Sequence, residues 1–240
     1  MKKGRGLLVL DKSKSNKLAE VKYDKKSNLL VRILSALIIG PIFIIAIMFS
    51  KILFYSLMLL ITVAMLYEWY QMTKSLVRYV LIGFIIIPIS TITLIILATE
   101  DKNRWLLLLY FVIIWSVDTF AMIGGKKIGG AKLAPKLSPN KTWSGLIVGI
   151  LVAGFSAFLL SLVPSFNLPN CYFLNKNFLI ITSIYLALIA QMSDLFISYF
   201  KRKFTIKDSG TMIPGHGGFL DRFDSIILTT PILFFIIKIV

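Results

Sequence analysis

The sequence predicts an all-α membrane protein, a polytopic integral membrane helical bundle of about seven transmembrane helices. Three observations carry the prediction. Apolar residues make up 57% of the 240 residues, and the mean hydropathy is +0.83, more than a soluble domain of this size uses. Charged residues are only 16% of the chain, and they are clustered. The runs between clusters are long enough to cross a bilayer, roughly 20 residues at 1.5 Å each.

The apolar segments fall at residues 29–49, 52–70, 76–98, 105–123, 143–163, 178–200 and 223–240. Each is expected to be helical, because an open strand or loop in lipid leaves its peptide groups unpaired. Gly40-Pro41 and Pro88 fall inside spans and are expected to kink them without breaking them. Residues 1–28 read as a basic cytoplasmic tail and 29–240 as the transmembrane domain. Residues 6–10 are too short an apolar stretch for a signal peptide, and Asp11-Lys12-Ser13-Lys14 follows them.

Charge placement orients the spans. Residues 1–32 hold ten Lys or Arg against three acids. With the tail inside, Lys74 and Arg78 fall inside. So do Lys126, Lys127, Lys132, Lys136 and Lys141, and then Lys201, Arg202, Lys203, Lys207 and Arg222. The outside connections hold Lys51, a balanced 100–104 segment and Lys176. All long basic loops share one side, as the positive-inside rule requires.

The net charge of +16 could suit nucleic acid, but the basic residues flank apolar runs. They favour membrane lipids and anionic substrates and leave no soluble basic domain for nucleic acid. Cys171 is the single cysteine, so no intrachain disulfide forms, and it is assigned no role.

Two acids lie within spans. Asp118 and Asp194 each sit roughly 10 Å below the basic boundary, six or seven residues at 1.5 Å each. Such acids are costly in lipid, so they face protein or a wet cavity and are functional candidates. Pairing with a buried lysine for helix packing is the structural alternative. Both basic loops are rich in glycine and proline. The first runs Gly124-Gly125-Lys126-Lys127-Ile128-Gly129-Gly130 to Lys141-Thr142-Trp143, and the second Lys207-Asp208-Ser209-Gly210 to Asp221-Arg222-Phe223-Asp224. Glycines let backbone N–H groups approach an anion and lysines add charge. Ser138, Thr142 and the start of the fifth span could add donors. A flexible loop with topology-setting lysines is the simpler reading of Gly and Lys alone.

Asp221 and Asp224 are spaced i, i+3. Beside a phosphate cradle they suit Mg²⁺, which takes one or two carboxylates plus phosphate oxygens; helix capping is the alternative. His216, the single histidine, could order the loop or contact a phosphate. Glu68 faces the same cavity or belongs to the interfacial aromatic belt, and both readings stand.

The second loop resembles the signature of the phosphatidate cytidylyltransferase (CDP-diacylglycerol synthase) family. The matching residues are Ser198, Lys201-Arg202, Lys207-Asp208, Gly210, Ile213-Pro214, His216-Gly217-Gly218 and Asp221-Arg222-Phe223-Asp224, 27 residues without a gap. The first loop also looks like that family, through Lys132, Leu133, Pro135, Lys136, Ser138, Pro139, Lys141, Thr142 and Trp143. The family's frequent acid before Lys-Arg is Ile197 here, Ser144 replaces a frequent Glu or Gln, and the span count is one short of the usual bacterial form.

The resemblance implies a helical fold, often homodimeric, in the bacterial inner membrane with its site facing the cytoplasm. It implies CTP and phosphatidic acid as substrates, and Mg²⁺, with K⁺ also implicated. Asp194, Asp221 and Asp224 would serve the metal. Asp194, Asp221, Lys201, Arg202 and Lys207 would form the catalytic set. Lys132, Lys136, Ser138, Lys141, Thr142, Asp118, Asp208, His216, Gly217, Gly218 and Arg222 would bind substrate. A CTP-dependent polyprenol kinase and an anion transporter are the alternatives. The kinase lacks this signature, and a transporter gives no reason for two aspartates flanking Arg222.

The charge pattern predicts that, in a Cys171→Ser background, Gly130→Cys is shielded from an impermeant thiol reagent in intact cells and Asn170→Cys is labelled. Labelling at 130 from outside would overturn the orientation.

Overall fold

The computed structural model describes residues 40–101, 104–163, 176–213 and 217–239. The basic tail, the first part of the first apolar segment, Cys171 and His216 therefore lie outside the described residues. Seven helices are described. They are α1 (Gly40–Phe49), α2 (Lys51–Thr73), α3 (Val77–Glu100), α4 (Trp105–Ile128), α5 (Trp143–Ser161), α6 (Lys176–Lys203) and α7 (Leu220–Ile239). Strands β1 (Lys132–Ala134) and β2 (Ser138–Thr142) form a hairpin between α4 and α5.

Five of these helices, α2 to α6, are long and apolar enough to cross a membrane. The fold is thus a polytopic helical membrane protein. Ten residues of the first segment are described, and α7 carries Asp221, Arg222 and Asp224 in its first turns. Large apolar side chains are exposed along α2 (Leu59, Leu60, Val63), α3 (Leu81, Ile85, Ile92) and α5 (Ile147, Leu151, Phe155). Lipid is the solvent that accepts such faces.

The helices pack through small residues, because lipid offers no hydrophobic force between helices and contact must come from close approach. Along α5, Gly145, Gly149, Ala153 and Ala157 recur every fourth residue and are buried. A Cβ at Gly145 would fall 2.4 Å from the Ala121 carbonyl oxygen, and one at Gly124 would fall 2.8 Å from Val148 Cβ. This seam corrects the reading of Gly124 and Gly125 as loop residues. Helix α4 continues through both to Ile128, because α5 packs directly onto them, and Lys126 and Lys127 complement its C-terminal dipole. The chain leaves α4 at Gly129, whose φ of 71° suits glycine.

The first basic loop folds as a hairpin, where an irregular loop was expected. Pro135 opens the turn that Leu137 N closes by donating to Ala134 O at 3.1 Å. Thr142 then caps α5, its Oγ1 accepting from Gly145 N at 3.1 Å.

Helix α7 packs against α6 and α3, with a smaller contact to α2. Hydroxyl pairs tie the interior. Tyr110 OH lies 2.6 and 2.7 Å from Thr229 and Thr230 Oγ1, Thr62 lies 2.6 Å from Thr91, and Ser90 donates to Ile226 O at 3.2 Å. At the end of the bundle away from the basic loops, Arg104 Nη1 donates to Ile47 O at 2.9 Å and Asp101 Oδ2 accepts from Leu107 N at 3.0 Å. Burial pushes the Asp101 carboxyl above the usual range, and the N–H of Leu107 opposes that shift.

Gly83 meets the fully buried Trp69, whose indole donates to Tyr79 O at 2.8 Å; an added Cβ would fall 2.1 Å from the indole nitrogen. Gly83→Ala is expected to destabilise the protein by about 1–3 kcal/mol, read as a lower melting temperature in detergent. Ile85→Ala, on the lipid face, should melt like the parent.

Candidate active site

One cleft of about 280 Å³ opens at the basic end of the bundle. This volume is at the lower edge of the roughly 300–1,000 Å³ typical of small-molecule sites. Helix α4 contributes Asp118, the hairpin Asn140, Lys141 and Thr142, α6 Gln191 and Asp194, and α7 Asp221, Arg222 and Asp224. Ala121, Met122 and Leu146 give it an apolar side between α4 and α5.

The carboxylates are partnered in different ways. Asp194 Oδ2 lies 2.5 Å from Lys141 Nζ, an ion pair without directed hydrogen-bond geometry. Asp194 Oδ1 accepts from Ser198 Oγ at 3.2 Å. Asp118 and Asp224 share Ser225. Its Oγ lies 3.3 and 3.2 Å from the two Asp118 oxygens and 3.5 Å from Asp224 Oδ1. Gln191 adds a 3.5 Å contact to Asp118 Oδ1. Asp224 is nearly buried, and its Oδ1 accepts from Ser225 N at 2.8 Å. Ser193 Oγ donates to Asp224 O and accepts from Leu228 N, clamping α6 to α7 behind the acids.

Asp221 is bound more completely. Its Oδ1 pairs with Lys201 Nζ at 2.8 Å, and its Oδ2 accepts from Ser209 N at 2.8 Å and Gly218 N at 3.1 Å. Asp221 therefore holds the second loop against the helix that carries it. Gly217 reaches this position with φ 87°, and its carbonyl accepts from Ile213 N at 2.9 Å.

Of the residues singled out in the sequence, Asp118, Lys141, Thr142, Asp194, Asp221, Arg222 and Asp224 line the cleft. Lys201, Gly217 and Gly218 stand behind Asp221. Lys132, Lys136, Lys207 and Asp208 are exposed outside the cleft lining, and Ser138 is half-buried in the hairpin. Arg202 clasps the two basic loops together, its Nε donating to Leu137 O at 3.1 Å and its Nη1 to Ile206 O at 3.2 Å. Ile197 is buried in the apolar core, and Ser144 Oγ donates to Gly129 O, so both departures from the family pattern have local partners.

Sequence reasoning missed Asn140, Gln191, Ser193 and Ser225 as part of this cluster, and it left Glu68 undecided. Gln191 and Ser193 closely precede the intramembrane Asp194 and Ser225 follows Asp224. Polar neighbours beside an intramembrane acid were the available signal. Glu68 is almost fully buried, with Ser209 Oγ, Phe219 N and Leu220 N as its donors.

Among the described residues, no three His, Cys, Asp or Glu side chains form a preformed metal cage. Mg²⁺ does not need one, since it binds through one or two carboxylates and substrate phosphates. The donor set fits that mode. The cleft lining has four carboxylates against the cations Lys141 and Arg222, and a polyphosphate would add further negative charge.

Fold and cleft together define a polytopic membrane protein with an acid-lined site between two basic loops. The cytidylyltransferase family model matches residues 74–240. A phosphatidate cytidylyltransferase of Rickettsia bellii (strain RML369-C) is 62% identical over 229 residues, 95% of this chain and 98% of the relative. That of Rickettsia conorii (strain ATCC VR-613 / Malish 7) is 64% identical over 89% of the chain and 93% of the relative. The phosphatidate cytidylyltransferase of Bacillus subtilis (strain 168) is 41% identical over 53% of the chain and 45% of the relative. The chain belongs to the cytidylyltransferase family.

Removing Lys201 leaves Asp221 Oδ1 without its partner. Lys201→Met is expected to cost about 1–3 kcal/mol of stability, measured by thermal melting in detergent. Lys207→Met, at an exposed position, should leave the melting temperature unchanged.

Proposed function

We propose that the chain is a phosphatidate cytidylyltransferase, making CDP-diacylglycerol and pyrophosphate from CTP and phosphatidic acid. The observation that carries the reading is the cleft into which Asp118, Asp194, Asp221 and Asp224 converge with Lys141 and Arg222. The high identity to named phosphatidate cytidylyltransferases along nearly the whole chain supports the substrates.

In the reaction, a phosphate oxygen of phosphatidic acid bonds to the α-phosphorus of CTP. The bond from that phosphorus to the bridging oxygen breaks, and pyrophosphate leaves with the electron pair. The nucleophile is a phosphomonoester, already anionic near neutral pH, so no strong base is needed. The protein's work is positioning and charge compensation. Lys141 and Arg222 would meet phosphate oxygens. The apolar side formed by Ala121, Met122 and Leu146 suits the lipid's glycerol end.

Asp194, with Asp118 or Asp224, would hold Mg²⁺. Asp221 would act chiefly on the loop, since both its oxygens already have protein partners. When bound, the metal offsets repulsion between the phosphates and the carboxylates and withdraws electrons from the attacked phosphorus. The positive-inside pattern supports a cytoplasmic position for this end, where CTP is found.

Purified protein given CTP, phosphatidic acid and Mg²⁺ is expected to release CDP-diacylglycerol and pyrophosphate; a lipid kinase would instead release CDP. Asp194→Asn should lower turnover by about 10²–10³-fold or more while the protein stays folded, in line with the loss of one charge-stabilising group. Asp224→Asn should fall similarly, because its carboxylate faces the same cluster. Substantial turnover by Asp194→Asn would sink the site as described.

A further inference from the structure

We propose that Glu68 is a positioning residue of this active site, the group that fixes the start of α7 and the second loop relative to α2. The inference rests on the reaction proposed above and adds to it a residue outside the cleft lining.

Glu68 lies near the basic end of α2 and is 2% exposed. Its Oε1 accepts from Phe219 N at 3.0 Å, and its Oε2 accepts from Leu220 N at 2.9 Å and Ser209 Oγ at 2.7 Å. The two N–H groups belong to the N-terminus of α7, where backbone donors have no partner within the helix. A carboxylate there satisfies them and complements the positive end of the dipole. Glu68 thus caps α7 from another helix, more than 150 positions away in sequence.

The loop is built around this carboxylate. A Cβ at Gly218 would fall 2.2 Å from Glu68 Oε2, and one at Gly210 would fall 2.8 Å from Oε1. Both glycines are needed for the loop to close over Glu68. The same loop residues also serve Asp221, which accepts from Ser209 N and Gly218 N. Ser209 is therefore held twice, by its hydroxyl to Glu68 and by its N–H to Asp221. Asp221 and Asp224 occupy the first turns of the helix that Glu68 caps, so displacing Glu68 would shift both.

Glu68→Gln preserves length and volume but converts one acceptor oxygen into an amide donor, facing groups that also donate. Phosphatidate cytidylyltransferase kcat per folded molecule is expected to fall about 10–100-fold, the usual penalty of small misplacement. Amide deuterium exchange should quicken in residues 217–224 and stay unchanged in α5. Ser209→Ala removes one of the three bonds and leaves the backbone N–H on Asp221. It should lower kcat about three- to tenfold, the rate equivalent of one hydrogen bond, so the proposal remains testable if Glu68→Gln does not fold. A group that contributes only stability would lower the melting temperature and leave kcat per folded molecule intact. Unchanged kcat in Ser209→Ala, or unchanged kcat and exchange in Glu68→Gln, would overturn the proposal. Exchange is read without turnover, so an inactive parent protein would remove the proposed reaction and leave the positioning role decided by exchange.

Discussion

The structure depends on how acids are held at one end of a bundle whose sides face lipid. A carboxylate in that setting needs a partner or water. Five acids gather there; Asp224 accepts from the neighbouring Ser225, and the other four are satisfied by chain segments distant from their own. Glu68 on α2 takes the start of α7, Asp221 on α7 takes Lys201 and the second loop, and Asp194 on α6 takes Lys141 from the hairpin. Asp118 on α4 meets Ser225 on α7. The electrostatic requirement and the tertiary structure at this end are therefore one set of contacts.

The small-residue seam sets the distances at which those contacts work. Helices α4 and α5 approach until Gly145 lies almost against the Ala121 carbonyl, which aligns the Asp118 turn with the hairpin that delivers Lys141. Ridges of Leu or Ile in place of these glycines and alanines would separate the helices and widen the cleft between Asp118 and Lys141. Arg202 adds a second brace by bonding the hairpin turn to the loop after α6. The two basic loops are thus bonded to each other, although they are separated by two helices in sequence.

Much of this was legible in the sequence. Hydropathy placed α2 to α7 to within five residues at each end, because lipid permits little else. Intramembrane acids and the glycine-rich signature pointed to Asp194, Asp221 and Asp224 for a metal and to Asp118 for substrate, though not to all four as one cluster. The misreadings have a common source. Glycine and lysine serve several physical purposes, and composition does not distinguish them. Gly124 and Gly125 looked like phosphate-cradle residues, yet they let α5 approach, a role that the four-residue spacing from Gly145 to Ala157 did signal. Arg202 was read as part of the catalytic set, and it also ties two carbonyls. Glu68 could not be decided, because its partners are backbone groups of a distant loop, and main-chain donors carry no sequence mark.

The same reasoning separates residues of identical type. Asp194 and Asp221 both belong to the signature and both line the cleft, but their oxygens are used differently. Asp221 has a lysine and two backbone N–H groups, so a ligand would have to compete with directed bonds. Asp194 has a weak serine contact and an ammonium without directed geometry. The buried ammonium of Lys141 lies beside Asp194 as a close charge contact between the hairpin and α6. The acids of one cleft are thus held in two ways, by directed bonds at Asp221 and by an ion pair at Asp194.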